Sequence, residues 1–129
     1  MKAARTRGGG GSGQPLVALI CCVPLIGEGV RPELEFAEVH SFKGKRDTAG
    51  LLRSLEPDLV IVDSSVDARE ASAYATEHDS AVLHISVRSR SLRLFHRGGW
   101  KQVGTSEGAT PEAVRNVVAG TLFARGEPA

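Results

Sequence analysis

EPDLVIVDSS, residues 56–65, is the stretch that decides the fold. Its centre, LVIV (59–62), is a continuous apolar run, which is typical of a strand buried on both faces of a parallel sheet. Asp63 follows at the point where this strand should leave the sheet. Because ligands of open α/β sheets bind beyond the carboxyl ends of the strands, Asp63 is either a reactive carboxylate or a polar strand end.

Length and composition indicate a single globular domain with no strong overall charge. The chain has 129 residues, of which 41% are apolar and 24% charged, and its formal net charge is +1. This charge creates no global attraction to nucleic acid or to anionic membranes. The apolar run 15–26 contains two prolines and is shorter than the roughly 20 residues that span a bilayer.

The two ends of the chain and its cysteines indicate a cytoplasmic protein. Residues 1–14 are rich in glycine and are expected to form a flexible tail, residues 15–125 the domain, and residues 126–129 a disordered end. The glycines separate the basic residues from the apolar run and no cleavage site follows, so we do not expect a signal peptide. Cys21 and Cys22 are adjacent in a predicted strand, which favours two buried thiols in a reducing compartment over a disulfide.

Apolar runs and helical periodicity predict five strands and four helices. The predicted strands are 16–23, 36–42, 58–62, 81–87 and 91–97. The predicted helices are 24–35 with a break at Pro32, 47–55 capped by Asp47, 67–78 beginning at a capping box of Asp67 and Glu70, and 110–126 capped by Thr110. Their alternation favours a doubly wound α/β sheet with right-handed crossovers.

The last two predicted strands require a different connection. Only about three residues separate them, whereas a parallel crossover needs a dozen or more. They should therefore form an antiparallel hairpin around RSR (88–90), at one edge of the sheet. GGW (98–100) interrupts the pattern, and Trp100 is expected to fold back onto the sheet.

Four segments are similar to the receiver domains of bacterial two-component response regulators, most closely to receivers that precede LuxR-type DNA-binding domains. They are PLIGEGV (24–30), LEPDLVIVD (55–63), VLHIS (82–86) and ATPEAVRNVVAG (109–120). In receivers these stretches open the first helix, lead to the phosphoacceptor, form the fourth strand and form the last helix. The resemblance touches most of residues 16–124. It implies a flavodoxin-like fold with a mostly parallel five-stranded sheet, here with an antiparallel edge hairpin.

The resemblance also implies roles for two residues. Asp63 occupies the position of the phosphoacceptor, and Ser86 occupies the position of the hydroxyl residue that switches on phosphorylation. Mg²⁺, which prefers oxygen ligands, would be needed only if Asp63 were phosphorylated.

The sequence departs from the family pattern where the metal and the counter-charge should lie. The positions of the family's acidic pair hold Cys21 and Cys22, or Val23 in a shifted register, and none of these supplies a hard oxygen ligand. Segment 104–112 has no lysine, although the family's lysine precedes the last helix. The hairpin replaces the family's fourth helix. These differences favour a degenerate receiver that is not phosphorylated.

Charge is separated along the chain although the total is near neutral. No acidic residue occurs between Ser80 and Ser106, while residues 56–79 carry seven acidic residues and one basic residue. The basic stretch supplies five candidate contact residues, which are Arg88, Arg90, Arg93, Arg97 and Lys101. We expect this basic hairpin to dock on an acidic partner or on the acidic segment of a second copy. We do not expect nucleic-acid binding, since no recognised motif is present.

The sequence therefore predicts a non-catalytic, receiver-like signalling domain that uses no cofactor or metal. It would act through protein–protein contacts or self-association, made by its last helix and its basic hairpin. Two other functions remain open. One is a genuine phosphoacceptor receiver that uses Asp63. The other is a small ligand-binding α/β domain, with a pocket lined by Cys22, Asp63 and Ser86.

Overall fold

The computed structural model describes residues 14–42, 47–86, 88–103 and 110–126. The strands are β1 (Leu16–Ile20), β2 (Glu38–Phe42), β3 (Leu59–Val62), β4 (Ala81–Ser86), β5 (Ser91–His96) and β6 (Gly99–Val103). The helices are α1 (Pro24–Val30), α2 (Thr48–Leu55), α3 (Ser65–Glu77) and α4 (Pro111–Gly126), and a 3₁₀ turn (Arg31–Glu33) follows α1. Residues 1–13 of the predicted tail, residues 127–129 of the predicted disordered end and residues 104–109 lie outside the described residues, whereas Gly126 is the last residue of α4.

The six strands form one mixed sheet in the order β2-β1-β3-β4-β5-β6. The strands β2, β1, β3 and β4 run parallel to one another, and β5 and β6 are antiparallel additions beside β4 at one edge. The parallel core with an antiparallel edge hairpin is therefore confirmed. The sheet has six strands instead of the five predicted, because the segment after Gly98 continues as β6 and pairs Trp100 with Phe95.

Helices cover both faces of the sheet, so its central strands are buried on both sides. Side chains of β1 alternate between two apolar clusters, as strand geometry requires. Val17 and Leu19 point into the cluster that contains residues of α4, and Ala18 and Ile20 into the cluster that contains residues of α2 and α3. All residues of β1 and β3 are buried. This double burial explains why both strands have continuous apolar sequences.

Side-chain caps begin three of the helices. Asp47 accepts a hydrogen bond from the Gly50 N–H at 3.2 Å, and Thr110 accepts one from the Ala113 N–H at 3.0 Å. The predicted start of α3 was wrong by two residues, since the helix begins at Ser65. Its cap is Ser64, three residues before Asp67, and it accepts from the Asp67 N–H at 3.1 Å. Ser64 and Asp67 have the same spacing as Asp67 and Glu70, so the spacing alone does not distinguish the two caps.

The first strand is shorter than predicted, and this changes the position of one cysteine. β1 ends at Ile20, so Cys21 and Cys22 lie in the loop before α1. Both are free thiols; Cys21 is buried, as expected, but Cys22 is exposed. The interruption of the first helix at Pro32 is confirmed, since the chain continues there as a 3₁₀ turn.

The turn between β5 and β6 places an arginine in an unfavourable backbone conformation. Its two central residues, Arg97 and Gly98, have φ values of +57° and +84°. Positive φ at both positions is the pattern of a type I′ turn, for which asparagine and glycine are the preferred residues. Arginine at the first position therefore costs stability that asparagine would not.

Replacing Arg97 with asparagine should raise the free energy of unfolding by about 1 kcal/mol, because asparagine tolerates a positive φ better. Chemical denaturation measures the change. Arg88→Asn is the matched control, since it removes the same charge from the β4–β5 turn, at a residue without a positive φ. The control should change the free energy by less than about 0.5 kcal/mol. Equal effects in the two variants would contradict this explanation.

Candidate functional site

The Asp63 carboxylate accepts two backbone hydrogen bonds from the loop that follows β1. The Cys22 N–H donates to Oδ1 at 2.7 Å, and the Val23 N–H donates to Oδ2 at 2.9 Å. Asp63 is half-buried and lies directly after β3, the neighbour of β1 in the sheet. Both carboxylate oxygens are therefore engaged within the fold, and the side chain ties the ends of two adjacent parallel strands together.

The donors of these two bonds lie where the resemblance would put the acidic pair. At Cys22 and Val23 the chain offers backbone N–H groups to Asp63, where a receiver would offer carboxylate oxygens to a cation. Amide donors stabilise a carboxylate by charge-assisted hydrogen bonds. Within the described residues, His, Cys, Asp and Glu side chains nowhere gather in a group of three that could hold a metal ion.

A second carboxylate beside this site is engaged in the same way. Asp67 accepts from the Thr48 hydroxyl at 2.9 Å and from the Ser64 hydroxyl at 3.0 Å. Because Thr48 is the first residue of α2 and Asp67 lies in the first turn of α3, these bonds join the beginnings of the two helices. Both oxygens of Asp67 are thus also bonded within the fold.

The two cysteines next to Asp63 are poor nucleophiles. Burial, and next the charge of Asp63, raises the pKa of the Cys21 thiol to about 12. The pKa of the exposed Cys22 thiol is also raised, by desolvation and then by the charge of Asp63. Since the thiolate is the reactive form, the local electrostatics disfavour thiol chemistry at neutral pH.

Ser86 is the last residue of β4, directly before the β4–β5 turn, and it has its own hydrogen-bond partner. The Ser89 hydroxyl donates to the Ser86 oxygen at 2.7 Å and lies 2.8 Å from the Ser91 hydroxyl. Ser86 and Ser91 are also partners in the antiparallel register. The hydroxyl of Ser86 thus belongs to a cluster of three serines that closes the hairpin, and its described hydrogen bonds go to Ser89.

The five basic candidate residues are all exposed but do not form one surface. Arg88 and Arg90 lie in the β4–β5 turn, and Arg97 lies in the β5–β6 turn at the opposite end of β5. Lys101 is the β-ladder partner of Leu94, whose side chain packs in the apolar cluster with α4, so Lys101 lies on the α4 face of the sheet. Arg93 alternates with Leu94 and therefore points to the opposite face.

Arg93 belongs to a cluster that the sequence interpretation missed. Its guanidinium lies 5.3 Å from the centroid of the Trp100 ring, and the His84 ring meets the same indole edge-on at 6.2 Å. Burial, followed by the charge of Arg93, lowers the pKa of His84, while the charge of Asp63 acts against them. The pairing of the predicted hairpin could have indicated this cluster, because His84 and Arg93 lie opposite each other in the antiparallel register of β4 and β5.

No protein-family model, curated protein or solved structure matches the chain. No helix in the described ranges combines the length and the apolar character needed to cross a membrane.

Asp63→Asn should lower the free energy of unfolding by about 1–3 kcal/mol, because an amide cannot accept hydrogen bonds with both of its polar atoms. Urea denaturation measures the loss. Glu70→Gln is the control: it also removes one negative charge, from an exposed position on α3, and should shift the value by less than about 0.5 kcal/mol. A variant as stable as the parent protein would show that the two bonds contribute nothing.

Alkylation with iodoacetamide at neutral pH should label Cys22 more slowly than it labels cysteine in the denatured chain. The reason is the raised pKa, which lowers the thiolate fraction; the rate should climb as the pH approaches and passes the ordinary thiol value. Cys21 should react only after denaturation. The variants Cys21→Ala and Cys22→Ala separate the two rates by mass spectrometry. Fast labelling of Cys22 at neutral pH would contradict the electrostatic assignment.

Proposed function

We propose that this chain is a non-catalytic, receiver-like signalling domain that acts through protein–protein contacts in the cytoplasm. In this proposal Asp63 is a structural residue that is not phosphorylated, and no cofactor or metal takes part. The contact surfaces are α4 and the basic hairpin predicted from the sequence, of which the β5–β6 part, with Arg97 and Lys101, lies beside α4.

The strand order supports a relation to the flavodoxin-like fold. In such sheets the strands follow the order 2-1-3-4-5. The strands β2, β1, β3 and β4 have the same order and are all parallel. The departure begins after β4, where β5 returns antiparallel without an intervening helix. This is the position at which the resemblance had implied a missing helix.

One observation carries the proposal: both oxygens of Asp63 accept hydrogen bonds from the backbone of Cys22 and Val23. Phosphoryl transfer to a carboxylate requires an oxygen that can attack and a cation that offsets the phosphoryl charge. Here each oxygen has a backbone amide beside it, and Asp67, the next carboxylate, is bonded to two hydroxyl groups, so that no described group of three acidic, histidine or cysteine side chains could hold the cation. A structural role for Asp63 accounts for these contacts directly.

The ligand-binding alternative has less support from the geometry. A pocket of about 220 Å³ opens near the carboxyl ends of β1 and β2, between Cys21, Arg31 and Ser41. It is smaller than the roughly 300 Å³ at which small-molecule sites begin. Its lining includes neither Asp63 nor Ser86. The pocket expected from the sequence would have been lined by these two residues and Cys22.

Incubation with acetyl phosphate and Mg²⁺ tests the proposal against the phosphoacceptor alternative. We expect no phosphorylated species by intact-mass spectrometry, and no change in the amide resonances of Cys22, Val23 and Ser64 on adding beryllofluoride with Mg²⁺. A receiver of known activity, treated in parallel, shows that the reagents work. An adduct that forms on the parent chain and is lost in Asp63→Asn would overturn the proposal in favour of a true phosphoacceptor.

A further inference from the structure

A groove lies between α4 and the β5–β6 hairpin, on the α4 face of the sheet. Its volume is about 370 Å³. Leu94, Val103 and Val117 give it an apolar floor, while Arg97 and Lys101 stand at its rim. A second depression, which shares Leu94, Arg97 and Lys101, continues it around the β5–β6 turn.

The rim of this groove carries positive charge that no other residue described by the structure neutralises through an ion pair. Arg97 and Lys101 are both exposed, and neither makes an ion pair with another described residue. The sequence has no acidic residue between Ser80 and Ser106, which includes both strands of the hairpin. On the helix side, Val117 and Gly120 are uncharged. The groove therefore combines an apolar floor with a cationic rim that has no ion-pair partner in the described part of the chain.

Gly120 leaves the helix wall of the groove bare. It lies inside α4, where glycine destabilises a helix relative to alanine. A Cβ added at this position would meet no atom within 4 Å, and its φ is not positive. Neither packing nor backbone conformation thus requires glycine here. What the glycine provides is a flat surface on which another polypeptide backbone can approach the helix closely.

Arg97 is the one residue of the groove lining among the three described non-glycine residues with a positive φ. Its φ of +57° is disfavoured for arginine, and the turn would be more stable with asparagine. The arginine is nevertheless present, and it lines the groove. Strained residues of this kind concentrate at binding sites, where the side chain is needed for a contact.

We propose that this groove binds an acidic peptide segment of a partner protein. Apolar side chains of the peptide rest on Leu94, Val103 and Val117, its carboxylates face Arg97 and Lys101, and its backbone passes over Gly120. This inference rests on the proposed function as a protein-contact domain, and it specifies the site and the chemistry of the partner.

Two other occupants fit the groove less well. A second copy of the chain offers an acidic segment in which three carboxylates, those of Asp58, Asp63 and Asp67, are already bonded within the fold. A nucleic-acid backbone would match the cations but would leave the apolar floor without a partner. Short acidic peptides with apolar residues complement both parts.

Selection from a random-sequence peptide library displayed on phage, against the full chain, tests the proposal. Enriched peptides should be acidic and should contain large apolar residues. A synthetic copy of an enriched peptide should change the fluorescence of Trp100, the only tryptophan, which lines the adjoining depression. Because the contact is partly electrostatic, its affinity should fall with added salt.

Matched variants locate the site on the groove. Gly120→Trp, which fills the groove, and Lys101→Glu, which reverses the rim charge, should each weaken binding at least about tenfold. Arg53→Glu, on the exposed side of α2, is the charge-reversal control for Lys101→Glu and should leave the affinity within about twofold. Circular dichroism confirms that each variant is folded.

Four results would overturn the inference. The first is enrichment of basic peptides, or of none, and the second is binding that Gly120→Trp leaves unchanged. The third is a dimer of the parent chain that Gly120→Trp dissociates, which would assign the groove to a second copy. The fourth is binding that responds to Arg88→Glu instead of Lys101→Glu, which would refute this groove while leaving a protein-contact function intact. Phosphorylation of Asp63 would refute that function and not the groove.

Discussion

The two aspartates that flank β3 hold the neighbouring strand β1 at both of its ends. Asp58 accepts a hydrogen bond from the Leu16 N–H at 2.8 Å, where β1 begins, and Asp63 accepts from Cys22 and Val23, just after it ends. Between these bonds β1 is completely buried and contacts both helical layers. The two carboxylates therefore fasten both ends of the strand against which α4 packs on one face and α2 and α3 on the other, in addition to its backbone ladders with β2 and β3.

The same bonds limit the chemistry at the carboxyl ends of the strands. A carboxylate whose two oxygens accept backbone hydrogen bonds is well suited to fasten a loop and poorly suited to gather a cation. Asp67 is committed in the same way to the hydroxyl groups of Thr48 and Ser64. The charged side chains of Arg97 and Lys101, at the β6 edge of the sheet, make no ion pair with any other described residue. This contrast supports the proposal that the chain acts by surface recognition and not by reaction at Asp63.

Features that depend on burial were predictable, and features that depend on backbone donors were not. The parallel strands and the helices could be predicted from apolar runs and capping residues, because the side chains of a buried strand or helix are themselves apolar at the buried positions. β6 was missed because GGW reads as a break, although a type I′ turn at Arg97 and Gly98 allows the strand to begin directly after it. The partners of Asp63 were invisible because a backbone N–H carries no residue-type signal, and they lie 40 and 41 positions away.

The central claim is that the Asp63 carboxylate is held by two backbone amides and not by a metal. Scalar coupling across hydrogen bonds, measured by NMR between the amide nitrogens of Cys22 and Val23 and the carboxyl carbon of Asp63, tests it most directly. The structure predicts that both couplings are present and persist unchanged when Mg²⁺ is added. Absence of the couplings, or their loss on addition of Mg²⁺, would contradict the claim and restore Asp63 as a reactive carboxylate.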